Sequence, residues 1–297
     1  MKKIFFIILL SAFLLSACKP VDLNTPAPIY DTGIDPNSWA KIPSGTFLSG
    51  QFKHQVNIDY NYEMMVTAVT VDQFAQYLNE ALAAGTIKIS GDEIVGFYPG
   101  DPFNNGRHEE EILAGDYNHL PLNNPMTRLN YEGGKFSAQE MWANHPQTMV
   151  SWFGAKAYCE YYDWRLPTEL EWEKAARGVD GRPFPWGETI ERNNANLINS
   201  RDPFEDMSSL GSRTTPVGFY NGKTYDGYVT LNSPSPFGIY DMAGNVWEWT
   251  NNVYEQQHYR YLRGGSKDVY ENYLRVWVRN SSIPTYNSPG FGFRCVR

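Results

Sequence analysis

Apolar positions at helical spacing mark three segments of the chain. Val71, Phe74, Ala75, Leu78, Ala81 and Leu82 recur every three or four residues, and Gly85 would stop that helix. Ser151 caps a second segment that carries Ala155, Tyr158, Cys159 and Tyr162 on one side. Thr168-Glu169-Leu170-Glu171, after Pro167, has the form of a capping box. Ala175 and Ala176 continue that helix, and Gly178 fits as its terminator. Residues 40–60 alternate instead into short strands, punctuated by Gly45 and Gly50. Residues 86–135 follow neither period. Gly91, Gly96, Gly100, Asp101-Pro102 and Asn104-Asn105-Gly106 predict irregular chain there, and Glu109-Glu110-Glu111 a solvated face. After Gly178 the pattern is turns and short strands to the end. Two or three helices among many short strands make an α+β domain, with no internal repeat and no second domain.

The first residues follow a different logic. Lys2 and Lys3 precede an apolar run from Ile4 to Leu15, too short to span a bilayer comfortably. The run ends in Leu15-Ser16-Ala17-Cys18, which resembles a bacterial lipobox. Such signals imply removal of residues 1–17 and acylation of Cys18. Acyl chains hold a membrane at roughly 0.8 kcal/mol per buried methylene, so several chains anchor firmly. The alternative is a soluble secreted protein with a chance cysteine at its cleavage site. Residues 18–38 are rich in Pro, Asp, Asn and Thr and read as a tether. Lys19, with no Asp beside the acylated cysteine, favours the outer membrane.

Composition narrows the function classes. The net charge is −8 and no basic cluster exists, which argues against nucleic acid as a partner. Nine Trp and twenty Tyr in 297 residues suit a loop-rich fold filled by rings, or a binding surface. The five histidines, His54, His108, His119, His145 and His258, are scattered and show no ligand spacing. No Gly-x-Ser-x-Gly elbow or phosphate loop is present.

The most unusual stretch runs from Phe237 to Thr250, Phe-Gly-Ile-Tyr-Asp-Met-Ala-Gly-Asn-Val-Trp-Glu-Trp-Thr. Gly238 and Gly244 allow positive φ or close backbone approach. Asp241 and Glu248 sit in an apolar run, so burial would require partners or a metal. Hard cations take carboxylate and carbonyl oxygens together, and this stretch offers both. The other reading is a loop with exposed carboxylates and core tryptophans.

This stretch resembles the signature of the formylglycine-generating-enzyme, or sulfatase-modifying-factor, family. Arg165–Gly178, Arg263-Gly-Gly-Ser266 and Gly292–Arg297 follow the family's order, with Trp39–Phe47 as its opening strand and Val66–Asn79 as its first helix. The resemblance covers residues 39–297 and implies a C-type-lectin-like fold with little regular structure. It also implies a disulfide between Cys159 and Cys295. It places one calcium on the side chains of Asp241 and Glu248 and the carbonyls of Gly244 and Val246. A second calcium would begin at Asn196 and the Leu197 carbonyl, with Asp206 as a distal ligand.

The family's enzyme oxidises a cysteine of a substrate sulfatase, using copper on two cysteines shortly after Arg-Gly-Gly-Ser. Copper(I) needs such soft thiolates. Here that segment, Arg263 to Asn280, contains no cysteine, although Ser266 and Trp247 match positions near the enzyme's site. The resemblance therefore implies neither copper nor formylglycine generation. It implies a lipid-anchored binding or assembly component of a bacterial envelope, with a protein or glycan partner. Two other readings remain open: a lectin-fold ligand-display protein of a diversity-generating system, and a metal-dependent oxidoreductase with a rearranged site.

Overall fold

Strands of two to eight residues carry most of the regular structure. The computed structural model describes residues 26–101, 112–205, 213–254 and 258–297. Strand β1 (Trp39–Ile42) pairs antiparallel with β4 (Tyr62–Met65), and β2 (Gly45–Ser49) with β3 (His54–Ile58). Helix α1 (Val71–Ala84) leads into a three-stranded antiparallel sheet of β5 (Ile87–Ser90), β6 (Glu93–Tyr98) and β7 (Gly115–Pro121). A hairpin of β8 (Leu129–Glu132) and β9 (Lys135–Ala138) precedes α2 (Trp152–Tyr161) and α3 (Glu169–Arg177). The two-residue strands β10 (Thr224–Tyr225) and β11 (Tyr228–Val229) follow. The last sheet has the order β14 (Arg279–Ser282), β13 (Tyr259–Arg263), β12 (Trp247–Tyr254), β15 (Phe291–Gly292). Three helices and many short strands make the fold α+β, as the pattern predicts.

The helix caps are those the sequence indicates. Ser151 Oγ accepts from the Gly154 N–H, and Thr168 with Glu171 closes a capping box. Thr70 and Gln73 close a box at α1, and Gly85 ends that helix at φ +72°. Helix α1 therefore starts at Val71, not at Val66. The Val69 N–H is taken by Phe293 O and the Val66 N–H by Ser38 O, so these donors are satisfied outside a helix.

Two other expectations need correction. Much of residues 86–135 is regular: Ile87-Lys-Ile-Ser and Glu93–Tyr98 alternate as strands around the Gly91 turn at φ +59°, while Pro102 and Asn104-Asn105-Gly106 lie outside the described residues. Glu109–Glu111 lie outside the described residues. Residues 26–38 are not a free tether. Tyr30 packs on Phe204, Phe219 and Tyr225, and Thr32 Oγ1 donates to Val217 O at 2.9 Å. The rings and backbone bonds of this segment dock it on the domain.

Two large apolar clusters dominate the core, with two smaller ones beside them. One large cluster packs α1 and α2 against Trp152, Trp249 and Phe293. The other surrounds Trp172 of α3 with Ile239, Met242, Val276 and Val296. The Cys159–Cys295 disulfide joins α2 to the C-terminal segment. Helix α3 is inverted in polarity: Leu170 is its exposed residue, while Glu169, Glu171, Glu173, Lys174 and Arg177 are buried.

Candidate functional site

The turn from Tyr240 to Trp247 is shaped by residues in the left-handed region. Asp241, Gly244 and Asn245 have φ of +57°, +84° and +64°. Gly244 is required twice over, because a Cβ there would lie 2.4 Å from Asn196 O. The Val246 N–H donates to Gly244 O at 2.9 Å, closing a three-residue turn over Asn245. Asn245 then ties distant loops together. Its N–H donates to Asn196 O, its Oδ1 accepts from the Thr215 N–H, and its O accepts from the Lys267 N–H. The sequence marks Asn245, beside Gly244, as part of a tight turn, and its tolerance of positive φ is the signal; the loops it ties together were not legible.

Asp241 and Glu248 emerge on either side of this turn with different partners. Asp241 Oδ2 accepts from the Gly218 N–H at 2.7 Å. Burial raises its pKa to about 6, against the opposing pull of that N–H and of Arg294. Glu248 is fully enclosed. Arg294 grips it with two N–H groups at 2.6 and 2.8 Å, and Trp172 Nε1 donates to it at 2.7 Å. The same guanidinium reaches the carbonyls of Tyr240, Met65 and Val66.

Arg294 thus balances the Glu248 charge and pins the turn, the two tasks the expectation assigned to a cation. The Gly244 carbonyl is likewise occupied by an N–H. Calcium on the expected set Asp241, Gly244, Val246 and Glu248 would have to share the Glu248 carboxylate with Arg294 and Trp172 and use the lone pairs those bonds leave. A guanidinium and a hard cation compete for the same carboxylate lone pairs.

The second expected set fits better. Asn196 Oδ1 is buried and accepts no hydrogen bond among the described residues, the kind of orphaned oxygen a hard cation satisfies. The Leu197 carbonyl beside it accepts from the Ser200 N–H at 3.1 Å. Asp206 lies outside the described residues.

Behind the turn lies a network of buried ion pairs. Glu173 holds Arg177 at 2.7 Å and Arg263 at 2.6 Å. Glu171 holds Arg165 in a two-pronged contact while filling the Thr168 cap. Burial pushes both carboxyls up, but these arginines pull them below the usual range. Glu169, nearer Arg279 at 3.0 Å, is left raised by burial. Arg165, Glu171, Glu173, Arg177, Arg263, Glu248 and Arg294 all lie in the quoted sequence motifs, so those motifs are largely the code of this network.

The positions near the enzyme's site do come together. Gly290 accepts from the Trp247 N–H at 2.8 Å, and a Cβ on Gly290 would lie 3.6 Å from Ser266 Oγ. Lys267 and Asp268 pair beside them at 2.5 Å. The following chain carries Val269 and Leu274 into an apolar cluster with Phe184 and Leu197. Among the described residues no histidine joins a metal-holding group, and His108 lies outside them. His119 and His145 are buried among rings and backbone, and burial lowers their pKa values to about 4 and about 3. No group of three or more His, Cys, Asp or Glu that could hold a metal occurs among the described residues.

Comparison with known proteins decides the family. Residues 34–297 match the sulfatase-modifying factor enzyme 1-like domain. The chain belongs to that family. It is 38% identical over 159 residues to the inactive C-alpha-formylglycine-generating enzyme 2 of Bos taurus, covering 51% of this chain and 50% of that one. It is 36% identical over 177 residues to the formylglycine-generating enzyme of Streptomyces coelicolor, covering 52% of each. The chain spans about half the length of these curated relatives. Among solved structures, PvdO from Pseudomonas aeruginosa superposes with a TM-score of 0.55 at 20% identity, covering 92% of this chain and 98% of that one. The fold is that of the formylglycine-generating enzymes and of C-type-lectin-like domains.

Proposed function

We propose that this sulfatase-modifying-factor domain is a lipid-anchored, extracytoplasmic binding or assembly component of a bacterial envelope, without formylglycine-generating oxidase activity. One observation carries the loss of oxidase chemistry. The chain has three cysteines, and Cys159 and Cys295 are joined to each other. The third, Cys18, lies in the lipobox-like segment, outside the described residues. After Ser266 the chain offers Val269 and Leu274 to an apolar cluster and no thiolate for copper(I). Likeness to a relative named inactive supports the same reading. The anchor rests on the Leu-Ser-Ala-Cys18 ending.

Calcium in this proposal is structural and belongs to Asn196 and Leu197. It would satisfy the orphaned Asn196 oxygen and stabilise the folded state by linkage. Asn196→Ala then abolishes any calcium-dependent rise in melting temperature that wild type shows.

Fractionation and pull-down test the role. Wild type expressed in a bacterial host fractionates with membranes, and Cys18→Ala is released or left unprocessed. Wild type retains a specific envelope partner that a scrambled-surface control does not. Normal cleavage and membrane retention of Cys18→Ala would contradict the anchor.

A further inference from the structure

A cavity of about 360 Å³ opens between α1, α2 and β1. That size falls within the roughly 300–1,000 Å³ of small-molecule sites. Four rings line it: Trp39, Tyr158, Tyr162 and Trp164. Neither Glu248 nor Ser266 does.

The local fold builds this wall deliberately. Asp163 takes φ +60°, an uncommon conformation for a residue with a side chain, and the Trp164 N–H returns to Cys159 O at 2.8 Å. That reversal lays Trp164 beside Tyr162, with centroids 5.0 Å apart at 30°. Trp39 meets Trp164 edge-on at 4.8 Å, and the Arg297 guanidinium covers Trp39 at 4.3 Å. Both tryptophans are half-buried.

Besides Gln73, three exposed polar side chains line the same space, Asn37, Gln76 and Glu80. Gln76 and Glu80 share one flank of α1 at i, i+4. Each of the three is held by one end. Asn37 Oδ1 accepts from Gln73 at 2.9 Å, Gln76 Nε2 donates to Asp72 at 2.8 Å, and Glu80 Oε2 accepts from the Tyr162 hydroxyl at 3.2 Å. Their opposite ends, Asn37 Nδ2, Gln76 Oε1 and Glu80 Oε1, retain donor and acceptor capacity.

The chemistry selects a ligand class. No cation is among the lining residues, and Arg297 over Trp39 is already held by Glu63 at 2.7 Å, so an anionic ligand meets no free counter-charge. An ammonium ligand offers nothing to the Asn37 amide donors. A polyhydroxylated neutral ligand matches both, because each hydroxyl donates and accepts. Its C–H face suits a half-exposed ring. We propose that this cleft binds a neutral saccharide, its C–H face on the Trp39–Trp164 pair and its hydroxyls on Asn37, Gln76 and Glu80. The inference gives the binding role above a ligand class, yet it stands on the cleft alone. Its failure would leave the absence of oxidase chemistry untouched.

The test titrates the full chain, in detergent, with the methyl glycosides of glucose, galactose, mannose and N-acetylglucosamine up to millimolar concentrations. Tryptophan fluorescence and saturation-transfer NMR report binding. At least one glycoside should saturate. Trp164→Ala and Gln76→Ala should each weaken it at least about tenfold, while Trp164→Phe retains most affinity. If Trp164→Ala fails to fold, Gln76→Ala, on an exposed helix flank, carries the same comparison. No saturation with any of the four glycosides overturns the proposal. So does binding of choline alone, lost in Glu80→Gln and kept in Gln76→Ala.

Discussion

The two halves of the core solve the same packing problem with opposite chemistry. Around α1 and α2, rings fill space against rings: Phe74 stacks on Tyr158 at 5.8 Å, and Tyr117 on Phe153 at 4.2 Å. Around α3, buried carboxylates and guanidinia fill it, with Glu173 between Arg177 and Arg263 and Glu248 against Arg294. Apolar burial is non-directional and tolerates replacement by volume, with only a modest further gain from ring geometry. A buried ion pair demands both partners, since one left alone is a bare charge in a low dielectric. The family's motif residues fall mostly in the ionic half. In this chain they hold one another in buried ion pairs, and the open cleft lies at the edge of the aromatic half.

The largest effect should come from cutting the link between the halves. Cys159 belongs to α2, and Cys295 follows Arg294 in the chain. Replacing both by Ala opens a loop with a sequence separation of 136. The expected loss is about 5 kcal/mol in the chain-entropy model, read from denaturant unfolding of oxidised wild type and variant.

Breaking one ion pair comes next. Arg294→Met should cost about 3–5 kcal/mol, because Glu248 stays buried without its partner. Adding Glu248→Met should recover most of that loss. A double variant no more stable than the single one would mean that Arg294 acts through its carbonyl contacts instead.

Asp241 offers a change of the opposite sign. Its folded pKa of about 6 lies above the unfolded value of about 3.9. The folded state therefore carries a penalty above pH 6, relieved as pH falls through 6 and gone below about 4. Asp241→Asn keeps the left-handed turn and an acceptor for Gly218. It should be more stable than wild type at pH 7 by up to roughly 3 kcal/mol. The advantage should shrink towards pH 4. Melting curves of both proteins with EGTA, from pH 4 to 7.5, read the difference directly. The smallest effect belongs to the aromatic half: Phe153→Leu should cost only about 1 kcal/mol.

The legible parts of the sequence were those set by local rules. Thr168 with Glu171, Ser151 and Gly85 are short-range signals, and each helix end they mark is present. The sheet of β5 to β7 was hidden because Gly91, Gly96 and Gly100 read as breakers, whereas Gly96 makes room for the His119 ring. The docking of residues 26–38 was hidden because contacts such as Thr32 with Val217 span the chain. The charged face of α3 was hidden for the same reason. Glu171 was legible only as a cap and Glu173 not at all, because Arg165 and Arg263 reach them from outside the helix. At the turn, Glu248 was recognisable as a buried acid, but nothing local showed that Arg294 would neutralise it.

On the proposed function, these motifs persist as structure and binding surface without the oxidase chemistry. The direct measurement is mass spectrometry of a cysteine-containing sulfatase peptide incubated with the full chain, copper and a thiol reductant in air. The peptide should keep its cysteine, changed only by disulfide exchange. A copper-dependent product in which the cysteine side chain has become an aldehyde, absent without the protein, would contradict the account.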